Sequence, residues 1–165
     1  MNILSHFKNI KAFVMDIDGV LTNGQVYIQE NGTLLRAMNI KDGYAVQLAV
    51  KKGYHIVVIS GASSEPCKLR LQALGVVHVY LGVKDKAEFL KEKSKELKIL
   101  LPECIYIGDD MPDLEVMKLC GLRACPQDSC PDIKMIADYT SEAKGGEGCI
   151  RDIIEKVMKV RGDWE

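Results

Sequence analysis

The chain has 165 residues, of which 47% are apolar and 27% are charged, and its formal net charge at pH 7 is −1. This length and balance suit one globular domain over residues 1–165 and exclude an intrinsically disordered chain. A near-zero charge gives no general attraction to nucleic acid or to an anionic membrane. No apolar run approaches the roughly 18 residues that span a bilayer, and the N-terminal residues are unlike a secretory signal, so we expect a cytoplasmic protein.

The first element in chain order is a short apolar strand over residues 13–15, which stops at Asp16, Asp18 and Gly19. Two carboxylates one residue apart cannot be buried without a partner, because unpaired buried charge costs many kcal/mol. We therefore place Asp16 and Asp18 at the carboxyl end of this strand, facing a cation. The alternative interpretation is an ordinary turn rich in Asp and Gly.

A hairpin is predicted next, over residues 24–38, because two alternating segments flank the turn signal Asn31-Gly32. An isolated two-stranded ribbon is only marginally stable in water, so its apolar residues need a surface to cover them. We favour a contact between subunits, and the alternative is packing against its own domain.

After the hairpin, helices and strands alternate to the end of the chain. The predicted helices cover residues 42–50, 63–74, 85–97, 113–119, 131–136 and 148–160, and the strands cover 55–60, 76–80, 104–107, 122–124 and 137–139. Asp42 is the expected N-cap of the first of these helices. The alternation predicts an α/β fold with a doubly wound parallel sheet, in which Asp16, Ser60 and Asp109 converge at the carboxyl edge of the strands.

The six cysteines are predicted to be reduced structural thiols, because none forms a Cys-x-x-Cys pair and several lie in apolar or helical patterns. They are Cys67, Cys104, Cys120, Cys125, Cys130 and Cys149. The three histidines, His6, His55 and His78, are scattered and indicate no metal cluster.

Four separated segments resemble, in order, the four motifs of the haloacid dehalogenase (HAD) superfamily of phosphotransferases. They are Asp16-Ile-Asp-Gly-Val20, Ser60, Gly82-Val-Lys-Asp-Lys86 and Gly108-Asp-Asp-Met-Pro-Asp113. The resemblance implies a Rossmann-like HAD fold and phosphoryl transfer. A single Asp-x-Asp is weak support, whereas four such elements in the right order are strong support.

The resemblance also implies roles for individual side chains. Asp16 would be the nucleophile that attacks phosphorus, and Asp18 the acid and base that serves the leaving oxygen. Ser60 would hydrogen-bond a phosphoryl oxygen, and Lys86 would offset negative charge, with Lys84 as a competing candidate.

A magnesium site is implied by the same motifs, with Asp16, Asp18 and Asp109 as its residues. Mg²⁺ prefers hard oxygen ligands and binds through few carboxylates together with water and substrate phosphate. The sequence leaves open whether Asp110 or Asp113 assists or orients the site.

No cap domain fits between the motifs, since the intervals from Asp18 to Ser60 and from Ser60 to Lys86 hold only a few elements. Further segments carry a narrower resemblance, and they are the Asn-Gly hairpin, Asn39-Ile-Lys-Asp-Gly43, Leu74-Gly75 and Lys144-Gly-Gly-Glu-Gly-Cys-Ile-Arg151. Together with the motifs, they make nearly the full chain similar to one capless branch, the phosphatases of 3-deoxy-D-manno-octulosonate (KDO) 8-phosphate in lipopolysaccharide precursor synthesis. This similarity implies a homotetramer whose interfaces contain the hairpin 24–38 and the Gly-rich segment 144–151, which would help to close a neighbour's site. The candidate substrate-binding residues are Asn39, Lys41, Gly61, Arg70 and Arg151.

One departure leaves the length of the substrate open. The branch commonly has an Arg soon after the glycine of the second motif, whereas this chain has Ser60-Gly-Ala-Ser-Ser-Glu65. Relatives acting on nine-carbon 2-keto-3-deoxy sugar acid 9-phosphates have a Glu near that point, and Glu65 lies three residues too late to match it. Two further alternatives are a non-catalytic HAD-like oligomerisation domain and a two-component receiver domain, which would have its phosphorylated Asp where this chain has Ser60.

Overall fold

A computed structural model describes residues 3–165 as seven α-helices and eight β-strands, with two short 3-10 helices at Leu101–Glu103 and Met111–Asp113. The helices are α1 Ile3–Phe7, α2 Ile40–Lys51, α3 Glu65–Ala73, α4 Lys86–Glu96, α5 Leu114–Met117, α6 Pro131–Ile136 and α7 Cys149–Arg161. The strands are β1 Ala12–Met15, β2 Tyr27–Ile28, β3 Leu34–Leu35, β4 His55–Ile59, β5 His78–Tyr80, β6 Cys104–Ile107, β7 Leu122–Cys125 and β8 Tyr139–Thr140.

Six strands form one parallel sheet in the order β5-β4-β1-β6-β7-β8, and helices cover both of its faces. The predicted doubly wound fold is therefore confirmed, and the described residues contain no separate cap domain. Strand β1 lies in the middle, paired with β4 on one side and β6 on the other. From β1 the chain continues outward through β4 and β5, and it then crosses to β6 on the other side of β1. The switch in strand order therefore falls beside the carboxyl end of β1, where ligands bind in such sheets.

The sheet separates two hydrophobic layers, and β1 contributes to both because side chains alternate along a strand. Phe13 and Met15 pack in the layer under α2 and α7, whereas Ala12 and Val14 pack in the layer under α4, α5 and α6. All six cysteines are free and five are buried, as predicted. No helix within residues 3–165 has the length and apolar character needed to cross a membrane.

The predicted N-cap Asp42 is wrong. Helix α2 begins at Ile40, and Asn39 caps it by accepting hydrogen bonds at Oδ1 from the backbone N–H groups of Lys41 (2.8 Å) and Asp42 (3.4 Å). Asp42 is buried and accepts a hydrogen bond from the backbone N–H of Arg151 at 2.7 Å, so it serves the beginning of α7 instead.

Two element boundaries near the C-terminus also differ from the prediction. The helix predicted over 113–119 is the shorter α5, Leu114–Met117, and the 3-10 turn Met111–Asp113 precedes it. The carboxylate of Asp113 accepts a hydrogen bond from the backbone N–H of Asp109 and so holds this turn against the loop after β6. The strand predicted over 137–139 lies at Tyr139–Thr140, where the chain pairs with Ala124 and Cys125 of β7. Asp138, just before this strand, binds Arg123 through its carboxylate. Helix α1 was not predicted.

Strands β2 and β3 form the predicted hairpin, and its turn contains Asn31-Gly32. The backbone N–H of Gly32 donates to the carbonyl of Gln29 (2.8 Å), and Gly32 has φ +82°, as in a three-residue hairpin loop with a glycine bulge. The hairpin exposes apolar side chains on both faces, including Tyr27 (64%) and Ile28 (75%).

Candidate active site

The polar residues that follow β1, β4 and β6 meet at the carboxyl edge of the sheet, as the sequence predicted. One cavity of about 400 Å³ contains Asp16, Asp18 and Ser60 among its lining residues. A second cavity of about 250 Å³ also borders Asp16 and Asp18, and it includes Asp109 and Asp110. The carboxylates thus lie between two open spaces, one lined by Ser60 and Lys86 and the other by the acidic loop after β6.

A buried ion-pair network holds the carboxylate of Asp16. Nζ of Lys86 lies 2.8 Å from Oδ2 of Asp16 and 2.8 Å from Oδ1 of Asp113, and these side chains are 3%, 12% and 1% exposed. The structure therefore places Lys86 rather than Lys84 against Asp16. Because removing one member would leave the others charged and buried, the three groups form one unit.

Tyr106 of β6 also stabilises this network. It was not identified from the sequence. Its hydroxyl donates to Oδ1 of Asp113 at 2.8 Å, and Oδ2 of Asp113 accepts from the backbone N–H of Asp109 at 3.1 Å. Asp113 thus fixes both Lys86 and the loop that carries Asp109. The carboxylate of Asp110 accepts a hydrogen bond from the backbone N–H of Met111 and thereby caps the 3-10 turn. Unlike Asp113, Asp110 borders the second cavity.

The electrostatics of the site favour a bound cation. Burial, followed by the charge of Asp113, raises the pKa of Asp16 to about 6 although Lys86 acts in the opposite direction. Burial and the charges of Asp113 and Asp16 raise the pKa of Asp109 to about 7. For Lys86, burial lowers the pKa, but the two carboxylates outweigh it and the pKa lies above its ordinary value. Ionised carboxylates that lie this close together repel one another, and a bound cation would offset that repulsion.

Asp16, Asp109 and Asp113 each bring a carboxylate oxygen within 4.8 Å of the others. Hard oxygen donors of this kind fit a hard divalent cation. Since Asp113 already accepts hydrogen bonds from Lys86, Tyr106 and Asp109, we regard Asp16 and Asp109 as the residues better able to coordinate it. Asp18, the third predicted metal residue, borders the same cavity, but its carboxylate is engaged elsewhere.

The carboxylate of Asp18 is held by Arg36, which lies just after β3 of the hairpin. Nε of Arg36 donates to Oδ1 at 2.7 Å and Nη2 donates to Oδ2 at 3.1 Å, so the pair is bidentate. Sequence reasoning missed Arg36. Its only signal was a single cation within an otherwise apolar stretch, Leu34-Leu-Arg-Ala-Met38.

Ser60 and Gly61 occupy the positions expected of a phosphoryl-binding turn. Ser60 is buried, and its Oγ accepts the backbone N–H of Ala62 at 3.2 Å, so the hydroxyl proton can be donated to an oxygen in the cavity. Gly61 lines the same cavity. Both positions agree with the predicted binding of phosphoryl oxygens, which stays a prediction.

The other four candidate substrate residues do not line these two cavities. Asn39 is the cap of α2 and Lys41 is exposed. Arg70 borders a separate cavity under the hairpin. Arg151 is paired with Glu155 and lies 4.6 Å from the ring centroid of Trp164. Their roles in binding substrate stay predictions.

The Gly-rich segment before α7 packs against the loop that follows Asp18 in the same chain. The backbone N–H of Gly146 donates to the carbonyl of Val20 at 3.0 Å, and Sγ of Cys149 donates to the same carbonyl at 3.2 Å. A Cβ on residue 145 would lie 1.9 Å from the carbonyl oxygen of Gly19, so this packing within one chain requires a glycine at that position. The segment's predicted place at a subunit interface stays a prediction.

Known proteins resemble this chain over nearly its full length. Residues 72–151 match the family model of haloacid dehalogenase-like hydrolases. The 3-deoxy-D-manno-octulosonate 8-phosphate phosphatases KdsC of Salmonella typhi and Escherichia coli K12 are each 30% identical to it over 98% of this chain and 86% of the relative.

Solved structures of similar proteins agree with the present one. The KDO 8-phosphate phosphatase of Moraxella catarrhalis, solved with magnesium ion, phosphate ion and KDO, superposes with a TM-score of 0.94 at 33% identity, covering 98% of this chain and 93% of that one. The cobalt-bound phosphatase of Haemophilus influenzae superposes with a TM-score of 0.91 at 27% identity, covering 95% and 92%.

Proposed function

This chain belongs to the 3-deoxy-D-manno-octulosonate 8-phosphate phosphatase family of the haloacid dehalogenase-like hydrolases, and we propose that it hydrolyses KDO 8-phosphate to KDO and phosphate. The observation that carries this function is the carboxylate of Asp16, which lies 2.8 Å from Nζ of Lys86 between a cavity of about 400 Å³ that Ser60 lines and a cavity of about 250 Å³ that Asp109 lines. Hydrolysis of this substrate is a step of lipopolysaccharide precursor synthesis.

The proposed reaction has two steps. Asp16 attacks phosphorus, the bond from phosphorus to the sugar oxygen breaks, and Asp18 gives its proton to that oxygen. Asp18 then takes a proton from a water molecule, whose oxygen bonds to phosphorus while the bond from phosphorus to Asp16 breaks. The chain thereby returns to its starting state with one phosphate released.

Lys86 and Ser60 support both steps. The ammonium of Lys86 keeps Asp16 oriented and offsets charge on the phosphoryl oxygens, and the hydroxyl of Ser60 donates to one of them. Asp16 and Asp109, at the cavity that Asp18 also borders, would hold Mg²⁺, which supplies further neutralisation of the phosphoryl charge.

We further propose that the enzyme is a cytoplasmic homotetramer acting on a small-molecule sugar-acid phosphate. The exposed apolar side chains of hairpin 24–38 support an interface there. A two-stranded ribbon whose apolar faces are exposed to solvent is only marginally stable by itself. The segment 144–151 packs against the loop after Asp18 of its own chain, and its proposed place at a subunit interface rests on the family similarity.

The test is phosphate release, with Mg²⁺, from eight-carbon and nine-carbon 2-keto-3-deoxy sugar acid phosphates. We expect a higher kcat/KM for KDO 8-phosphate. A higher kcat/KM for the nine-carbon 9-phosphate would identify that compound as the substrate instead. Turnover of none of them would favour the oligomerisation domain, and a lasting phosphoryl group on the protein would favour the receiver domain.

A further inference from the structure

Arg36 binds the carboxylate of Asp18, which must be free to transfer protons in the proposed reaction. The bidentate pair uses both carboxylate oxygens of Asp18, at 2.7 and 3.1 Å. In the proposed reaction Asp18 must approach the sugar oxygen and then a water molecule, so the fork of Arg36 has to leave at least one of these oxygens when substrate enters.

A guanidinium displaced from Asp18 would need another anion. The side chain of Arg36 is 9% exposed, and an unpaired cation at such a site is costly. A cavity of about 300 Å³ between the hairpin and α3 opens beside Arg36 and gives the side chain room to turn. The remaining requirement is an anionic partner that arrives together with the substrate.

The substrate of the proposed function carries two anionic groups, a phosphate and a carboxylate. Lys86 and Ser60 already face the cavity of Asp16, where the phosphate is attacked. The planar guanidinium of an arginine can donate two parallel hydrogen bonds to a carboxylate. Arg36 already binds the carboxylate of Asp18 in this bidentate way.

We propose that Arg36 recognises the carboxylate of the sugar acid, and that it exchanges its partner from the carboxylate of Asp18 to that of the substrate. This inference rests on the proposed function and adds a specificity-determining residue to it. Entry of a sugar acid frees Asp18, whereas entry of a phosphate ester without a carboxylate does not replace the partner that Arg36 loses.

The test compares Arg36→Met with the wild type, using free KDO and inorganic phosphate as separate probes in the presence of Mg²⁺. We expect the Kd for KDO to rise about 30-fold or more, since a charge-assisted bidentate contact is lost. The Kd for inorganic phosphate should stay within about twofold, because Lys86 and Ser60 are untouched. In turnover of KDO 8-phosphate, KM should rise while kcat changes little, and Arg36→Lys should fall between the two proteins.

Arg123→Met is the matched control. Arg123 forms a bidentate pair with Asp138 at 2.9 and 2.7 Å, and neither residue borders the site cavities. Loss of that pair should leave both Kd values unchanged. Equal weakening of KDO and phosphate binding in Arg36→Met, or an unchanged Kd for KDO, would overturn the inference. A wild type that neither binds nor releases KDO would instead overturn the proposed function.

Discussion

Gly19 and the carboxylate of Asp109 approach each other so closely that a Cβ on residue 19 would lie 1.9 Å from Oδ2 of Asp109. Gly19 also has φ +82°, a conformation that side chains with a Cβ rarely adopt. The glycine of the first motif therefore allows the loop after β1 to pass directly against the acidic loop after β6. This contact brings Asp109 to Asp16.

Gly19→Ala is expected to displace the Asp109 carboxylate. We predict a loss of activity of at least about 100-fold and a weaker apparent affinity for Mg²⁺, because the metal-binding oxygens no longer converge. The measurement is turnover as a function of Mg²⁺ concentration. Gly32→Ala is the control, since Gly32 has the same φ of +82° with nothing within 4 Å of the added Cβ. Equal effects of the two substitutions on Mg²⁺ affinity would show that backbone strain alone is responsible.

Lys86→Met should impair both stability and catalysis. It leaves the carboxylates of Asp16 and Asp113 buried beside each other without a counter-charge, which we expect to lower the free energy of unfolding by about 3 kcal/mol or more. Denaturant unfolding measures the first effect and kcat the second. Lys91→Met, on the exposed side of the same helix, should change neither. Wild-type activity in Lys86→Met would contradict the role given to the network.

Stability should depend on pH and Mg²⁺ together. The pKa of Asp109 is about 7 in the folded chain against an ordinary value of 3.8, so between these values the folded state retains a proton that the unfolded state has lost. The contribution of Asp109 to the free energy of unfolding is therefore fully present below about pH 4 and declines as pH rises towards 7. Bound Mg²⁺ should restore it where the carboxyl is ionised.

Thermal unfolding tests this coupling. The rise in Tm on adding Mg²⁺ should be larger at pH 8 than at pH 5, because protons compete with the metal at the lower pH. Asp109→Asn should remove most of the difference. An equal rise at both pH values in the wild type would refute the assignment of the cation to these carboxylates.

The hairpin should control assembly. Ile28→Lys places a charge on a side chain that is 75% exposed in the single chain, and we expect it to convert tetramers to smaller species. Sedimentation gives the mass directly. Val77→Lys, at a residue that is 77% exposed outside the hairpin, should leave the mass unchanged. A wild-type monomer would contradict the proposed assembly.

The sheet and the main catalytic cluster could be predicted because they depend on short-range patterns. Strands β1, β4 and β6 are apolar runs that end at Asp16, Ser60 and Gly108, and parallel strands bring their carboxyl ends to one edge. The family motifs then identified the side chains at that edge.

The remaining contacts depend on tertiary packing that local sequence does not encode. Asn39 and Asp42 are both good N-cap residues, and only the packing of α2 on α7, which brings Asp42 to Arg151, decides between them. Tyr106 looks like any residue of a buried strand until Asp113 lies above it. Arg36 reaches Asp18 only because the hairpin folds back over the site.

The most direct test of the central claim is phosphate release from KDO 8-phosphate by Asp16→Asn at saturating Mg²⁺. The amide cannot serve as the nucleophile, so kcat should fall by about 1,000-fold or more while the chain stays folded. In the wild type, acid-quenched single turnover followed by mass spectrometry should locate the transient phosphoryl group on Asp16. Wild-type turnover by Asp16→Asn, or a phosphoryl group on another residue, would contradict the claim.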